Sequence, residues 1–155
     1  MRHTREEVIE RNIREFELLD KLVSGLSDED WKRLVPRPEG KDPWTVKEAL
    51  AHITHWKADV IRSINRERKP PEERGLEEKD SNHLIYMRWR DRSPQEIIAW
   101  HWQVQQDVLT ALREAPEEWF SRRQRRAEWP YDLVGHSGYH RVRDIERALA
   151  TRHTG

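Results

Sequence analysis

Apolar side chains recur along this chain at alternating steps of three and four residues, and this spacing constrains the fold more than any other feature. In the first long segment, from Glu6 to Val23, they fall at Ile9, Ile13, Phe16, Leu19 and Val23. Such spacing gathers apolar groups on one face of an α-helix, whose period is 3.6 residues. No segment shows the two-residue alternation that is typical of a β-strand. The sequence therefore predicts an all-α fold.

Helix start signals divide the rest of the chain. Ser27 and Thr45 each begin a capping box, in which a hydroxyl side chain and an acid three residues later satisfy the first free N–H groups of a helix. Ser93 is followed by Pro94 and then by Glu96, which adds a proline at the first helical position to the same signal.

These signals predict four long helices with short helices in the connections. The long ones cover 6–23, 45 to about 66, a segment from 93, and 131 to about 150. We expect Asn82 to cap a short helix between the second and the third. Segment 69–75, rich in Pro and ending in Gly, is predicted to be a surface loop.

The composition bounds the size and the class of the protein. Its 155 residues fit one domain, 1–155, with a real core. The 29 basic and 29 acidic residues cancel, so net charge gives no reason to expect nucleic acid or an anionic membrane as a partner. An apolar signal region and a run of membrane-spanning length are both absent, so we expect a cytoplasmic protein. There is no Cys, which leaves His and carboxylates as metal ligands.

A column of polar residues stands on the last predicted helix, where Asp132, His136, His140 and Asp144 recur at every fourth position. Two imidazoles one turn apart can hold one divalent cation. The column lies off the main apolar stripe of its helix, so a solvent-facing pair and a functional groove both fit the pattern. A third ligand from elsewhere is needed to make a site.

His52 is our choice for that third ligand, because it lies on the flank of its helix between the apolar stripe and solvent. Taken alone, it also fits a flank His satisfied by a neighbour. His55, three residues further on, points almost opposite the stripe, and we interpret it as a solvated surface residue.

Five more residues are candidates for a pocket or for groups that orient the ligands: Glu48, Trp56, Asn82, His101 and Asp144. Glu48 and Asp144, each one turn from a candidate ligand, can orient it or be ordinary surface charges. His101 falls on an apolar stripe, so a buried His with a hydrogen-bond partner is the first interpretation and a pocket wall the alternative.

A basic run from Arg122 to Arg126 can touch phosphate, but in a neutral protein such a run is usually a solvated loop. The chain has no glycine-rich phosphate loop, and Ser137 lacks the context of a nucleophile elbow. We therefore expect no nucleic-acid partner.

Two motifs together resemble the DinB/YfiT-like superfamily. Trp44-Thr-Val-Lys-Glu-Ala-Leu-Ala-His52 resembles its Trp-[Ser/Thr]-Val-x-[Asp/Glu]-x-Leu-x-His segment, and His136-Ser-Gly-Tyr-His140 resembles its His-x3-His element. The layout, including segment 82–93, looks closest to the ClbS/DfsB branch. The resemblance implies a four-helix bundle of unusual connectivity, often dimeric. It also implies a divalent metal, zinc or nickel, bound by His52, His136 and His140.

The same resemblance implies a metal-dependent hydrolase or thiol transferase acting on a small reactive molecule, with a low-molecular-weight thiol as co-substrate in the second case. The alternative is a non-catalytic metal- or ligand-binding bundle, in which the ion only staples helices together. Open coordination with a pocket lined by Trp56, His101 and Asn82 would favour catalysis. A fourth protein ligand would favour the structural role.

Overall fold

The computed structural model describes residues 3–36, 42–121 and 137–150, with the backbone alone for 121 and 137–141. These ranges contain seven α-helices and one 3-10 turn: α1 (Arg5–Val23), α2 (Asp28–Trp31), α3 (Val46–Ile64), the turn Pro71–Glu73, α4 (Glu78–Trp89), α5 (Pro94–Glu114), α6 (Glu117–Ser121) and α7 (Ser137–Ala150). Within them the β-structure is limited to an isolated bridge between Leu34 and Thr45. The predicted all-α class is confirmed.

Local side-chain chemistry sets the helix starts, as the sequence predicts. Ser27 and Asp30 form the complete capping box of α2, and the Ser93 hydroxyl accepts a hydrogen bond from the Glu96 backbone N–H. Thr45 is the N-cap of α3, but the predicted capping box is not formed, because its hydroxyl donates to the Glu48 carboxylate instead of accepting from the backbone. The cap residue of α3 thus holds a buried acid in place.

For the segment between α3 and α5, one prediction is wrong and the other is confirmed only in part, because most of 69–75 is exposed. Asn82 does not cap a helix, because α4 begins at Glu78 and Asn82 is buried inside it. The predicted surface loop contains the 3-10 turn Pro71–Glu73, in which Glu73 is only 6% exposed. The reason is electrostatic, since Glu73 meets two arginines and a histidine on α3 and α4.

Helix α3 is the centre of the bundle. It packs against α2, α4, α5 and α7, while α1 packs against α5. Four consecutive residues, Ala49 to His52, are all buried. Because successive helical residues point about 100° apart, four in a row cover every side of the helix. The first half of α3 is therefore enclosed on all sides.

A buried ion pair joins α3 to α1. The Lys57 ammonium lies 2.7 Å from a Glu15 carboxylate oxygen, with both side chains less than a tenth exposed. Each charge of such a buried pair needs its partner, because a buried charge without one strongly destabilises the fold.

No helix in the described ranges is both long and apolar enough to cross a bilayer.

Candidate functional site

The first candidate region surrounds His52 on α3. His52 is 7% exposed, so its predicted flank position proves to be an interior one. Its ring lies 5.2 Å from the ring of Trp44, which is fully buried. Glu48, one turn earlier, is 4% exposed, and its carboxylate accepts a hydrogen bond from the Thr45 hydroxyl. An imidazole and a carboxylate are thus enclosed together near the start of the central helix.

Helix α7 lies directly against this part of α3. Buried residues of both helices belong to one apolar cluster, with Val142, Ile145 and Leu149 from α7. Asp144 on α7 is 5% exposed, so the predicted orienting residue is not an ordinary surface charge. The structure brings together the helices that carry His52 and Asp144.

The structure does not describe the side chains of the other two predicted ligands, His136 and His140. His136 lies outside the described residues, as does the Arg122–Arg126 run. His140 lies in α7, but its side chain is outside the described part. The three-His set therefore stays a prediction.

His101 on α5 is buried, as its position on the apolar stripe predicts. It is 2% exposed and stacks on the Phe16 ring at 4.7 Å. Its Nε2 lies 4.0 Å from Asp20 Oδ1, which is too long for a hydrogen bond, and finds no hydrogen-bond partner among the described residues. Burial, with the nearby Lys57 charge, lowers the pKa of His101 to about 3. This imidazole is therefore neutral at physiological pH.

His55 corrects the sequence interpretation, because it is not a solvated surface residue. Its side chain is 13% exposed, and its Nε2 lies 3.4 Å from Asp59 Oδ2 and 3.3 Å from Glu73 Oε1. Asp59 follows one helical turn later, so the His-x3-Asp spacing was a signal that sequence reasoning missed. Glu73 comes from the turn that was predicted as a loop.

His55, Asp59 and Glu73 could hold a metal ion, because their ligand atoms all lie within 4.8 Å of one another. Arginines already form salt bridges with the carboxylates of Asp59 and Glu73. Arg62 Nη1 lies 3.2 Å from an oxygen of each, and Arg88 Nη1 lies 3.1 Å from Glu73 Oε1. A cation entering here must compete with these guanidinium groups, so the cluster is first of all a salt-bridge network.

Asp59 shows how this network acts on a single group. Burial alone would raise the pKa of Asp59, but its hydrogen bond to His55 and the charges of His55, Lys69 and Arg62 outweigh burial. The pKa of Asp59 is therefore lowered from 3.8. The ionised carboxylate is the stable form in this network.

The network opens onto a cavity of about 350 Å³ between α3, α4 and the start of α5. Its walls include His55, Arg62, Glu73, Arg88, Arg92 and Trp100. Of the residues predicted to line a pocket, Asn82 and His101 are buried elsewhere and Trp56 is 39% exposed. None of the three lines this cavity.

These helices define a class of protein, an all-α bundle built around a central helix with short helices in its connections. The family model described as the DinB superfamily matches residues 11–145, and the chain belongs to this superfamily. A crystal structure of an uncharacterised protein from Escherichia coli UTI89 is similar, with a TM-score of 0.74 and 10% identity. The similarity covers 97% of this chain and 95% of that chain, and at this identity it shows the fold alone. No curated protein matches the chain.

Proposed function

We propose that this protein is a metal-dependent hydrolase or thiol transferase acting on a small reactive molecule. Its divalent metal, zinc or nickel, would be held by His52, His136 and His140. The observation that carries the proposal is the burial of His52 on the central helix, which packs against α7, the helix that contains His140. Proteins of the DinB superfamily often bind metal, and this chain offers no thiolate ligand. The sequence motifs favour the ClbS/DfsB branch and, with it, a cytoplasmic homodimer.

The donor set fits a catalytic ion. Neutral imidazole is the form that ligates metal, and three such ligands leave coordination positions open. When bound, the metal would supply Lewis acidity toward an electrophilic substrate. Glu48 and Asp144, both 5% exposed or less, are suited to orient the ligating imidazoles. The Trp44 ring at 5.2 Å limits the positions open to the His52 ring.

A second candidate is a non-catalytic metal-binding bundle. Here the ion would sit on His55, Asp59 and Glu73, whose ligand atoms lie within 4.8 Å of one another. It would tie the Pro71–Glu73 turn to α3 and so act as a structural staple. The competing contacts of Arg62 and Arg88 make this the weaker candidate.

The two candidates differ in which histidine of α3 is required. Untagged protein, His52→Ala and His55→Ala would be grown with added zinc or nickel, and metal per chain would be measured by mass spectrometry. We expect His52→Ala to lose stoichiometric metal, because it lacks one of three ligands, and His55→Ala to retain it. Circular dichroism would establish that both variants keep their helices.

The opposite pattern, with metal lost from His55→Ala and kept by His52→Ala, would replace the proposed centre with the structural staple. Equal retention by both folded variants would contradict both sites. Chelation then tests the role of the ion. A catalytic ion predicts an apo-protein that keeps its helicity, because the apolar core forms independently of metal, whereas loss of helicity on chelation would favour a structural ion.

A further inference from the structure

The cavity beside His55 carries more positive than negative side chains. Three guanidinium groups line it, those of Arg62, Arg88 and Arg92, against two carboxylates, those of Glu73 and Glu96. Counted over the arginines and the carboxylates, the wall has one positive charge in excess. A monoanion would balance this charge, and a dianion would be repelled more strongly by the two acids.

The excess charge can be assigned to Arg92. Arg62 and Arg88 share the Glu73 carboxylate, with contacts of 3.2 and 3.1 Å. The Arg92 guanidinium instead lies 4.9 Å above the Trp89 ring, and no carboxylate of the described residues forms a salt bridge with it. It is exposed at the mouth of the cavity, so its donors can reach a ligand.

Aromatic rings form the wall beside Arg92. Trp89 and Trp100 stack with their ring centroids 4.8 Å apart and their planes 14° apart. Both line the cavity, and Trp89 is only 6% exposed, so the stack is held by the core behind it. Planar groups gain contact area and offset-stacking energy on such a surface.

We propose that this cavity binds a small planar organic anion of the aromatic carboxylate class. The carboxylate pairs with Arg92, whose planar fork matches carboxylate geometry, and the ring lies against the tryptophan stack. A volume of about 350 Å³ suits a ligand of one substituted ring. His52, the ligand of the proposed metal centre whose side chain the structure describes, does not line the cavity. The inference therefore does not depend on that centre, although His55 and Glu73 of the weaker candidate site do line the cavity.

Benzoate is a suitable probe, followed by protein-observed NMR titration. Acetate supplies the charge without the ring, and benzyl alcohol supplies the ring without the charge. We expect benzoate to bind more tightly than either, with shifts at the indole N–H signals of Trp89 and Trp100. Arg92→Gln should weaken benzoate roughly tenfold, because a charge-assisted pair is lost.

Arg90→Gln is the matched control, because Arg90 lies two residues earlier, pairs with the exposed Asp91 and does not line the cavity. We expect this variant to bind benzoate like the original protein. Trp100→Leu should reduce the preference for benzoate over acetate while leaving acetate binding unchanged. Equal affinity for all three probes, or equal weakening by Arg92→Gln and Arg90→Gln, would overturn the proposal.

Discussion

Two regions of the bundle hold histidines in opposite ways. In the interior, His52 and His101 lie against aromatic rings, those of Trp44 and Phe16, and are less than a tenth exposed. On the cavity side, His55 lies between two carboxylates, and arginines form salt bridges with those same carboxylates. His52 and His55 are only three residues apart on one helix.

The difference is the basis of the two binding proposals. Burial, with the nearby Lys57 charge, lowers the pKa of His101 and keeps it neutral, and neutral imidazole is the form that binds a metal ion. The cavity side is already a network of paired charges, so a new cation must displace a guanidinium before it binds. Among the described residues Arg92 has no salt bridge, and this is the basis of the proposed anion site. The chemistry of a side chain therefore depends more on the elements packed over it than on its position along the helix.

The largest expected effect tests the neutral interior through His101. Its pKa is about 3 in the folded protein and about 6.5 in the unfolded chain, so below pH 6.5 the unfolded chain binds a proton that the folded protein does not. Stability should therefore fall as pH drops from 6.5 towards 3. Urea denaturation should show a loss on the order of 3 kcal/mol between pH 7 and pH 4 from this group.

His101→Phe is the control, because it keeps a ring against Phe16 and removes the titrating group. This variant should lose that part of the pH dependence. Asp59 does not affect this comparison. Because its pKa is lowered in the folded protein, it contributes to stability at higher pH, and this contribution is lost only below about pH 3.8. An unchanged pH dependence in His101→Phe would show that the interior does not hold this imidazole neutral.

A smaller effect tests the charged network through Glu73. Glu73→Gln removes the charge that His55, Arg62 and Arg88 share, at nearly constant shape. Because the two arginines are about a third exposed, we expect a loss of about 2 kcal/mol in the free energy of unfolding, less than for a fully buried pair. Urea denaturation at neutral pH and low salt measures it.

Glu72→Gln offers a neighbouring control. Glu72 also pairs with Arg88, at 3.2 Å, but its side chain is 57% exposed. Exposed pairs contribute little, so the change should be within about 0.5 kcal/mol. Equal effects at the two positions would mean that Glu73 is not the centre of the network.

Much of the fold follows from the sequence because its signals are local. The capping box at Ser27 and the proline start after Ser93 fix helix ends through bonds within four residues. The prediction at Asn82 failed because a good N-cap residue can also be buried inside a helix when neighbouring helices enclose it. Helix propensity carries no information about such enclosure.

The charged cavity could not be predicted from the sequence for a related reason. His55 points away from the apolar stripe. That face of α3 is enclosed because the 3-10 turn that carries Glu73 packs over it. The contact joins residues 18 positions apart, beyond any helical spacing. His52, by contrast, was indicated by its motif, although its predicted flank position proves to be an interior one.

The central claim is that the metal belongs to the aromatic-lined interior and not to the charged cavity. Crystals grown with zinc and measured on both sides of its absorption edge test this directly. The account predicts one strong anomalous peak about 2.1 Å from a nitrogen of His52. A peak between Asp59 and Glu73, with none at His52, would contradict it.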